Sequence, residues 1–459
     1  MSYDTSTVRA GRATKVPLRG VLAGLARGPL EALEAIGRET KGAIVQLDLG
    51  PFRPYLVTRP EHVQRVLRDQ AANYRREGMM WGPLRRLLGD GILSEGATWQ
   101  HSRKLLQPLF SARKVATFVE QMAEAIVVAV GALDSRVRSG HPIDAATEMT
   151  RIVYRTVIRV LFGDRISNQQ ANQLLPALEA AATSISARLL FPFVPQSIPM
   201  PGDRAFRRAV KTVDEVMFPL VRESRRRSSG GDDLVSMLCR ATGEDGRKLD
   251  DRQVRDDVVS IFAAGTETTA VALTWLWVVV DSHPDVAAKL YDEVNEVVGT
   301  DRVNGSHLAG LRYTKMVLQE LLRLYPVGWI IPRRANDRDV VGGTVIEAGH
   351  TVLISPYVTH RLDGLWERPG AFNPERFAPD REERRHRFAY FPFGGGPHQC
   401  LGSHFFTVEA QLIVAALLSR YRPRLCSPRA IAPKAAASLR PAERVQLYLR
   451  PIERSRRCS

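Results

Sequence analysis

Apolar residues recur along this chain with two periods, and the change from one to the other outlines a fold. From about Thr98 to Leu238 the pattern is that of amphipathic helices, interrupted at Gly140-His-Pro142, Gly163-Asp164 and Phe191-Pro-Phe-Val-Pro195. Between Asp250 and Ser282 lies the longest unbroken helical stretch, which stops before Pro284, a helix-initiating residue for the next segment. At 1.5 Å per residue it is about 48 Å long, enough to cross a globule of this size. Further helices are predicted over about 284 to 298, 311 to 325 and 403 to 420. Strand formers cluster in Ile44-Val-Gln-Leu-Asp-Leu49 and Tyr55-Leu-Val-Thr58 around the Gly50-Pro51 break, which predicts a hairpin. Pro60 then opens a helix. Short β-like runs return over 334 to 356, punctuated by Gly342-Gly343 and Gly349, and residues 362 to 392 read as an irregular meander. The expected fold class is mainly α with a smaller β region (α+β). Residues 1–20 are expected to be a flexible leader and 21–459 a single domain. Its β-rich parts lie at about 40–60 and 334–356, its helical body at about 98–325 and 403–420.

Composition narrows the function classes. Apolar residues make up 44% and charged residues 25% of the 459 positions, near globular averages, so a large buried core is expected. The net charge of +16 is spread over many short arginine clusters, without the single basic element that nucleic-acid binding needs. An acidic protein partner fits it better. Cys239, Cys400, Cys426 and Cys458 are widely spaced, so neither a disulfide framework nor a structural zinc site is expected, in keeping with a reducing cytoplasm. Arg9, Arg12, Lys15, Arg19 and Arg27 have no apolar run between them, unlike a signal peptide or anchor. The most apolar stretch, Ala270 to Val280, is short for a membrane span.

Candidate chemistry centres on Phe393-Gly-Gly-Gly-Pro-His-Gln-Cys-Leu-Gly402. Three glycines followed by Pro397 predict a tight turn set close against its surroundings. Cys400 then stands at the start of an apolar helix, whose dipole and unpaired N–H groups favour a thiolate. A lone cysteine is usually a small buried hydrophobe. The pattern Phe-x-x-Gly-x-x-x-Cys-x-Gly, however, arises by chance in only roughly one chain in a thousand of this composition. At Phe393, Gly396, Cys400 and Gly402, with the basic His398 between, the segment resembles the haem-binding signature of the cytochrome P-450 family. Such a thiolate holds a haem iron and donates electron density that favours O–O cleavage.

Three further motifs match the same family. Ala263-Ala-Gly-Thr-Glu-Thr-Thr269 sets a glycine, an acid and hydroxyls in the middle of the long helix, a composition that costs helix stability. It is similar to the family's oxygen-activating segment, which implies that Ala264 and Gly265 leave room over the haem, that Thr268 hydrogen-bonds the oxygen being activated, and that Glu267 relays protons. Glu320-Leu-Leu-Arg323 taken alone reads as a surface ion pair. Together with Arg376 of Pro374-Glu-Arg-Phe377 it matches the family's structural network. Trp99-Gln-His-Ser-Arg103 places an indole N–H and a guanidinium four apart, and resembles the family's pair of donors to the haem propionates, with Arg334 and His398 at the other usual positions. Arg333 stands beside Arg334 as an alternative. His101 and Arg361 are weaker candidates, better read as surface residues.

The resemblance runs from about Tyr55 to Tyr421 and implies the cytochrome P-450 fold, a triangular helix-rich domain with haem between the long central helix and the cysteine loop. It implies a monooxygenase, of the soluble bacterial type found in secondary metabolism. One atom of O₂ enters a hydrophobic small molecule by hydroxylation or epoxidation. The cofactor is haem b (iron protoporphyrin IX), O₂ is co-substrate, and no flavin is bound in this chain. Electrons are expected from a separate ferredoxin or flavodoxin with its NAD(P)H reductase, docking near Arg384-Arg-His-Arg387, and the protein is expected to be a cytoplasmic monomer. A peroxide-dependent peroxygenase or a non-catalytic haem sensor would have little use for Glu267 and Thr268. The substrate pocket is expected from Met79, Met80, Trp81, Leu84, Leu190, Phe191, Phe193, Phe262, Ala263, Val327, Trp329 and Ile330, an apolar set that favours a terpenoid, polyketide or fatty acid.

Overall fold

The computed structural model describes residues 11–17, 28–78, 80–190, 194, 197–227, 231–243, 246–382, 385–427 and 430–452. The chain forms two compact units, one drawn from residues 1–81, 322–372 and 379–400, the other from residues 82–321, 373–378 and 401–459.

The first unit is built on a six-stranded sheet of β1 (Thr14–Val16), β2 (Val45–Leu47), β3 (Tyr55–Val57), β4 (Tyr74–Arg75), β5 (Ile331–Ala335) and β6 (Thr351–Ile354), in the order β1-β2-β3-β6-β5-β4. The predicted hairpin is β2 and β3, antiparallel, its turn closed by Gly50 at φ 76° and a bridge from Leu49 to Phe52. Val57, Val66, Leu67, Ala335, Val352, Ile354, Phe388 and Phe391 form the core against this sheet. Pro60 opens the helix Pro60–Gln64, as expected.

Two boundaries differ from the sequence reading. The late β region begins at Ile331 because Pro332 is tolerated there. It pairs with Leu353 on one side, while β4 reaches only Arg334 and Ala335 on the other, so no neighbouring strand needs the missing N–H. In the expected leader, Gly11–Arg12 and Thr14–Val16 are strands, paired with Thr344–Val345 and with β2. They are too short and too basic to show a period of their own.

The second unit is helical: α1 (Ala97–Leu106), α2 (Ala145–Phe162), α3 (Asp203–Arg226), α4 (Asp251–Ser282), most of α5 (Arg312–Leu324) and α6 (Ser403–Leu418). The long helix is α4. Its start is fixed by a capping box in which Asp250 accepts from the Gln253 N–H at 2.8 Å while the Gln253 side chain accepts from the Asp250 N–H at 3.2 Å. By length and hydropathy α4 is able to cross a membrane, but 67% of its most apolar window is buried inside the protein. It packs along α2, with Phe262 edge-on to Tyr154 and Phe162 at centroid distances of 5.4 and 6.3 Å.

Early in α4 two carboxylates grip the loop before α1. Asp256 accepts from the Asp90 N–H at 3.1 Å, and Asp257 from the Ile92 N–H at 2.6 Å. A Cβ on Gly91 would lie 2.4 Å from the Asp257 carboxylate, so the loop approaches this closely only as glycine. Near the other end of α4 the buried Trp275 indole donates to the Leu439 carbonyl at 2.9 Å, holding down the C-terminal hairpin of Pro433–Lys434 and Arg440–Pro441.

Asp257 is fully buried, and burial raises its pKa to about 7, with Asp256 adding to the shift. Its folded pKa lies above the unfolded value, so the folded state holds the proton more tightly. Stability therefore falls as pH rises from about 4 to about 7 and is flat for this group above that. Asp257→Asn keeps an acceptor for Ile92 and carries no charge. It is expected to remove this slope, leaving the variant more stable than the parent at pH 8 by an amount on the order of 1 kcal/mol or more, as measured by denaturant unfolding at pH 5 and pH 8.

Candidate active site

In the first unit the cysteine loop is a turn whose shape depends on glycine. Gly394 and Gly396 have φ of 68° and 67°, and a Cβ on Gly396 would meet the Leu67 carbonyl oxygen at 1.8 Å. Residues Gly396–His398 form a single 3₁₀ turn, after which the Cys400 N–H donates to the Phe393 carbonyl at 2.9 Å. The backbone of Cys400 is thereby fixed while its residue surface stays exposed, unlike the buried Cys239 and the half-buried Cys426. Gly402, two residues on, is the N-cap of α6.

The neighbouring arginines separate by strand parity. Arg334 is exposed and donates to the Gly349 carbonyl at 3.3 Å. Arg333 is 5% exposed, with its guanidinium over the Trp81 ring at 5.8 Å. Arg76 lies over the same indole at 5.6 Å and donates to the His398 carbonyl at 3.1 Å, and the Trp81 N–H donates to the Pro332 carbonyl at 3.2 Å. Arg333, Arg76 and Trp81 thus form one cationic and aromatic cluster, tied to the loop through the His398 carbonyl. Val327 is buried, while Met80, Trp329 and Ile330 are partly exposed. Arg361 is no surface residue: it is 7% exposed, lies over Tyr357 at 3.7 Å and pairs with Glu34 at 3.5 Å.

In the second unit α4 carries a stripe of uncovered residues. Ala264 and Thr268 are exposed and Ile261 and Gly265 partly so, in the middle of a helix otherwise largely buried. Their spacing of three and four puts them on one face. Among the described residues, only Val157 stands next to a Cβ at Gly265, at 3.8 Å. The Thr268 hydroxyl donates back to the Ala264 carbonyl at 2.5 Å. Phe262, expected in the pocket, is a core residue at 0% exposure: two positions from Ala264, it is turned by about 200° toward α2. Ala263 is half-buried. Trp99 and Arg103 sit four apart on α1, Trp99 buried and Arg103 partly so, with Arg103 Nε donating to Gln107 at 3.1 Å. His101 is half-buried on the same helix. Phe191, with Met79 and Phe193, lies outside the described residues, as does the side chain of Leu190.

Neither Glu320 nor Arg323 is a surface residue; both are 0% exposed. Glu320 accepts from the Asn373 N–H at 2.8 Å and from Arg376 at 3.3 Å in the second unit. Arg323, in the first, donates to the carbonyls of His360, Pro369 and Ala371 at 2.7 to 3.0 Å and stacks on Trp366. Each anchors a piece of the meander. Sequence reasoning missed Glu409 of α6, completely buried; burial pushes its pKa well above the ordinary range, partly offset by the Thr269 hydroxyl. It also missed Ser438 and Arg440, whose side chains bind Glu267. No local pattern marks either.

The donor set fits a haem. Among the described residues no three His, Cys, Asp or Glu side chains gather where they could hold a metal ion. Cys400, exposed and with its N–H held by the Phe393 carbonyl, is the residue that would hold the haem iron, and the bound haem would supply the oxygen chemistry.

Comparison with known proteins gives the same reading. The family profile described as Cytochrome P450 matches residues 12–449. Cyclooctat-9-en-7-ol 5-monooxygenase of Streptomyces melanosporofaciens is 32% identical over 412 residues, covering 89% of this chain and 88% of that protein. Pentalenene oxygenase of Streptomyces avermitilis is 29% identical over 436 residues, 95% of each chain. A crystallised cytochrome P450 heme domain superposes with a TM-score of 0.86 over 96% of this chain and 98% of its own, at 24% identity.

Gly396→Ala tests the close approach directly. Positive φ alone costs about 1–2 kcal/mol for alanine, and here the new methyl also strikes main chain. A large loss of thermal stability and of soluble protein is expected, whereas Gly364→Ala, with nothing within 4 Å of the added Cβ, is expected to melt like the parent.

Proposed function

Since this chain belongs to the cytochrome P450 family, it is a haem-dependent monooxygenase acting on a hydrophobic molecule, and from that premise we propose the roles of its residues, its substrate class and its partners. The observation that carries the assignment is Cys400, exposed on a backbone fixed by the Phe393 carbonyl. Cys400 supplies the metal-binding sulfur. Phe393, Gly396 and Gly402 shape the loop around it. Arg333, Trp99, Arg103 and His398 hold the haem carboxylates. We place Arg333 in this set ahead of Arg334, because Arg333 belongs to the Trp81 and Arg76 cluster while Arg334 faces outward. Bound haem supplies O₂ activation and transfer of one oxygen atom to the substrate.

The chain's own part is proton handling and positioning. Ala264 and Gly265 keep the exposed face of α4 low, Thr268 presents a hydroxyl on that face, and Glu267 is the acid that exchanges protons with solvent. Glu320, Arg323 and Arg376 fix the meander without touching substrate. Trp81, Trp329 and Ile330 offer apolar and aromatic surface to a greasy substrate, with Met80, Val327, Ala263 and Phe191 as further candidates. The two Streptomyces relatives are named for cyclooctat-9-en-7-ol and pentalenene, which supports a cyclic terpenoid as substrate ahead of a polyketide or fatty acid. Electrons come from a ferredoxin or flavodoxin with its reductase, and the enzyme works in the cytoplasm as a monomer.

Cys400→Ser is expected to abolish the long-wavelength Soret band of the reduced, carbon monoxide-bound protein; its persistence overturns the ligand assignment. Arg333→Ala is expected to speed haem loss to apomyoglobin several-fold and Arg334→Ala to leave it near the parental rate, and the reverse order returns the role to Arg334. Thr268→Ala is expected to lower product formed per electron consumed several-fold, with hydrogen peroxide making up the difference. Titration with cyclic terpenes, macrolides and fatty acids, followed by the Soret shift, tests the substrate class, and a response to fatty acids alone refutes it.

A further inference from the structure

Four side chains early in α4 bind the main chain of one short stretch. The Arg255 guanidinium donates to the Leu87 carbonyl at 2.8 Å, and the Ser260 hydroxyl to the Leu88 carbonyl at 3.4 Å. Asp256 and Asp257 accept from the N–H groups of Asp90 and Ile92. None of these four bonds uses a side chain of residues 87–92. Glycine allows the approach: Gly89 stands at φ 64°, where a Cβ would strike the Asp256 carboxylate, as one on Gly91 would strike that of Asp257. Both acids are buried, and burial raises the pKa of each, so each carboxylate is kept where its charge is opposed. Two buried acids are thus committed to the main chain of one loop.

The helix that leads into this loop, Gly82–Leu88, is also held from another direction. Arg86 donates to Asp203 at 3.0 Å and lies over the Phe206 ring at 4.4 Å. Asp203 is itself fixed by Arg188 at 2.6 Å and by the Met200 N–H at 2.9 Å. The short helix is therefore tied to α3 by a side chain and to α4 by its last carbonyls. Leu84 shares a face with Leu87 and Leu88, and it is half-buried where they are buried. It is the uncovered end of that apolar face.

We propose that Asp256 and Asp257 are positioning residues for substrate selection: they fix residues 87–92 on α4 and so hold the Gly82–Leu88 helix, with Leu84, in one place before any ligand arrives. Hydrophobic molecules are then selected by fit to a wall already in position, and this segment does not close around them. Such preorganisation removes the ordering cost of binding and sharpens discrimination by size. The proposal rests on the reading of Leu84 as a residue that faces the substrate.

The test uses the haem-loaded full chain and two azoles, phenylimidazole and the bulkier econazole, which bind haem iron through their own nitrogen and report by the Soret shift whatever the natural substrate. Amide hydrogen exchange over residues 82–92 of the parent is expected to be slow and to stay nearly the same when econazole binds. Asp256→Ala with Asp257→Ala is expected to speed that exchange several-fold and to change the ratio of the two azole dissociation constants several-fold. Asp256→Asn with Asp257→Asn keeps both acceptors and is expected to restore the parental exchange and ratio. Gly91→Ala presses on the Asp257 carboxylate and supplies the disruption by a second route where the double alanine variant does not fold. Parental exchange that is fast, or that econazole slows several-fold, shows a segment that closes on its ligand and overturns the proposal. Unchanged exchange in the disrupted variants shows that the carboxylates do not hold the segment and overturns it equally. Leu84→Trp separates the proposal from the reading beneath it. If Leu84→Trp binds both azoles as the parent does, the helix does not face the ligand and that reading falls. If Leu84→Trp alters the ratio while the faster-exchanging variants keep it, the reading stands, the contact is structural only and the proposal falls.

Discussion

The central helix α4 is buried along most of its 32 residues yet leaves Ala264 and Thr268 uncovered in the middle, and the second unit is organised around that conflict. A helix that gives up packing in its middle has to be held firmly elsewhere. Its start is fixed by the Asp250 and Gln253 capping box, its first turns by Asp256 and Asp257 on the loop before α1, and its far half by α2 and by Trp275 on the C-terminal hairpin. The cost is visible at Asp257, whose carboxylate is buried with burial opposing its charge. Threonine back-bonding at 266 and 268 weakens the helix at the same place where neighbouring side chains withdraw.

The cysteine loop in the first unit meets a related demand by different means. Here nothing regular supports Cys400, so rigidity comes from close approach: Gly396 lies against the Leu67 carbonyl with no space for a methyl, and the Phe393 carbonyl takes the Cys400 N–H. Glycine is usually the flexible choice, but once main chain packs on main chain at positive φ it becomes the residue that permits a single rigid shape. The parity of β5 does the same for charge. Alternation sends Arg333 inward to Trp81 and Arg334 outward to solvent, so two adjacent arginines have unrelated surroundings.

This division explains what the sequence made legible. Periodicity placed α4 within one residue at its start, because the Asp250 cap and Pro284 are local signals. The Gly50 turn between β2 and β3 was visible for the same reason. The cysteine loop and the threonine segment were legible because glycine and hydroxyls there contradict what a strand or helix interior prefers. Features made by long-range contact were hidden. Glu320 and Arg323 have the spacing of a surface pair, and only the meander folding over them, more than forty residues later, makes them buried. Pro332 reads as a break until one knows which side of its strand is free. Ser438 and Arg440 carry no motif, and only folding brings them to Glu267, more than 170 residues earlier in the chain.

Burial also sorts the ion pairs into those that hold and those that move. Arg188 and Asp203, 3% and 7% exposed at their side chains, are joined bidentately, and Arg188 above all keeps the Asp203 carboxyl well below the usual carboxylate range, with the Met200 N–H and Arg86 assisting. Removing one partner of such a pair leaves a buried charge and costs about 3–5 kcal/mol, so it does not open during turnover. The Glu267 and Arg440 pair is nearly half exposed on both sides, where such contacts contribute about 0.2–1 kcal/mol. That is comparable to thermal energy. This exposed contact on α4 opens easily, while the buried clamps around α3 and the first turns of α4 stay shut.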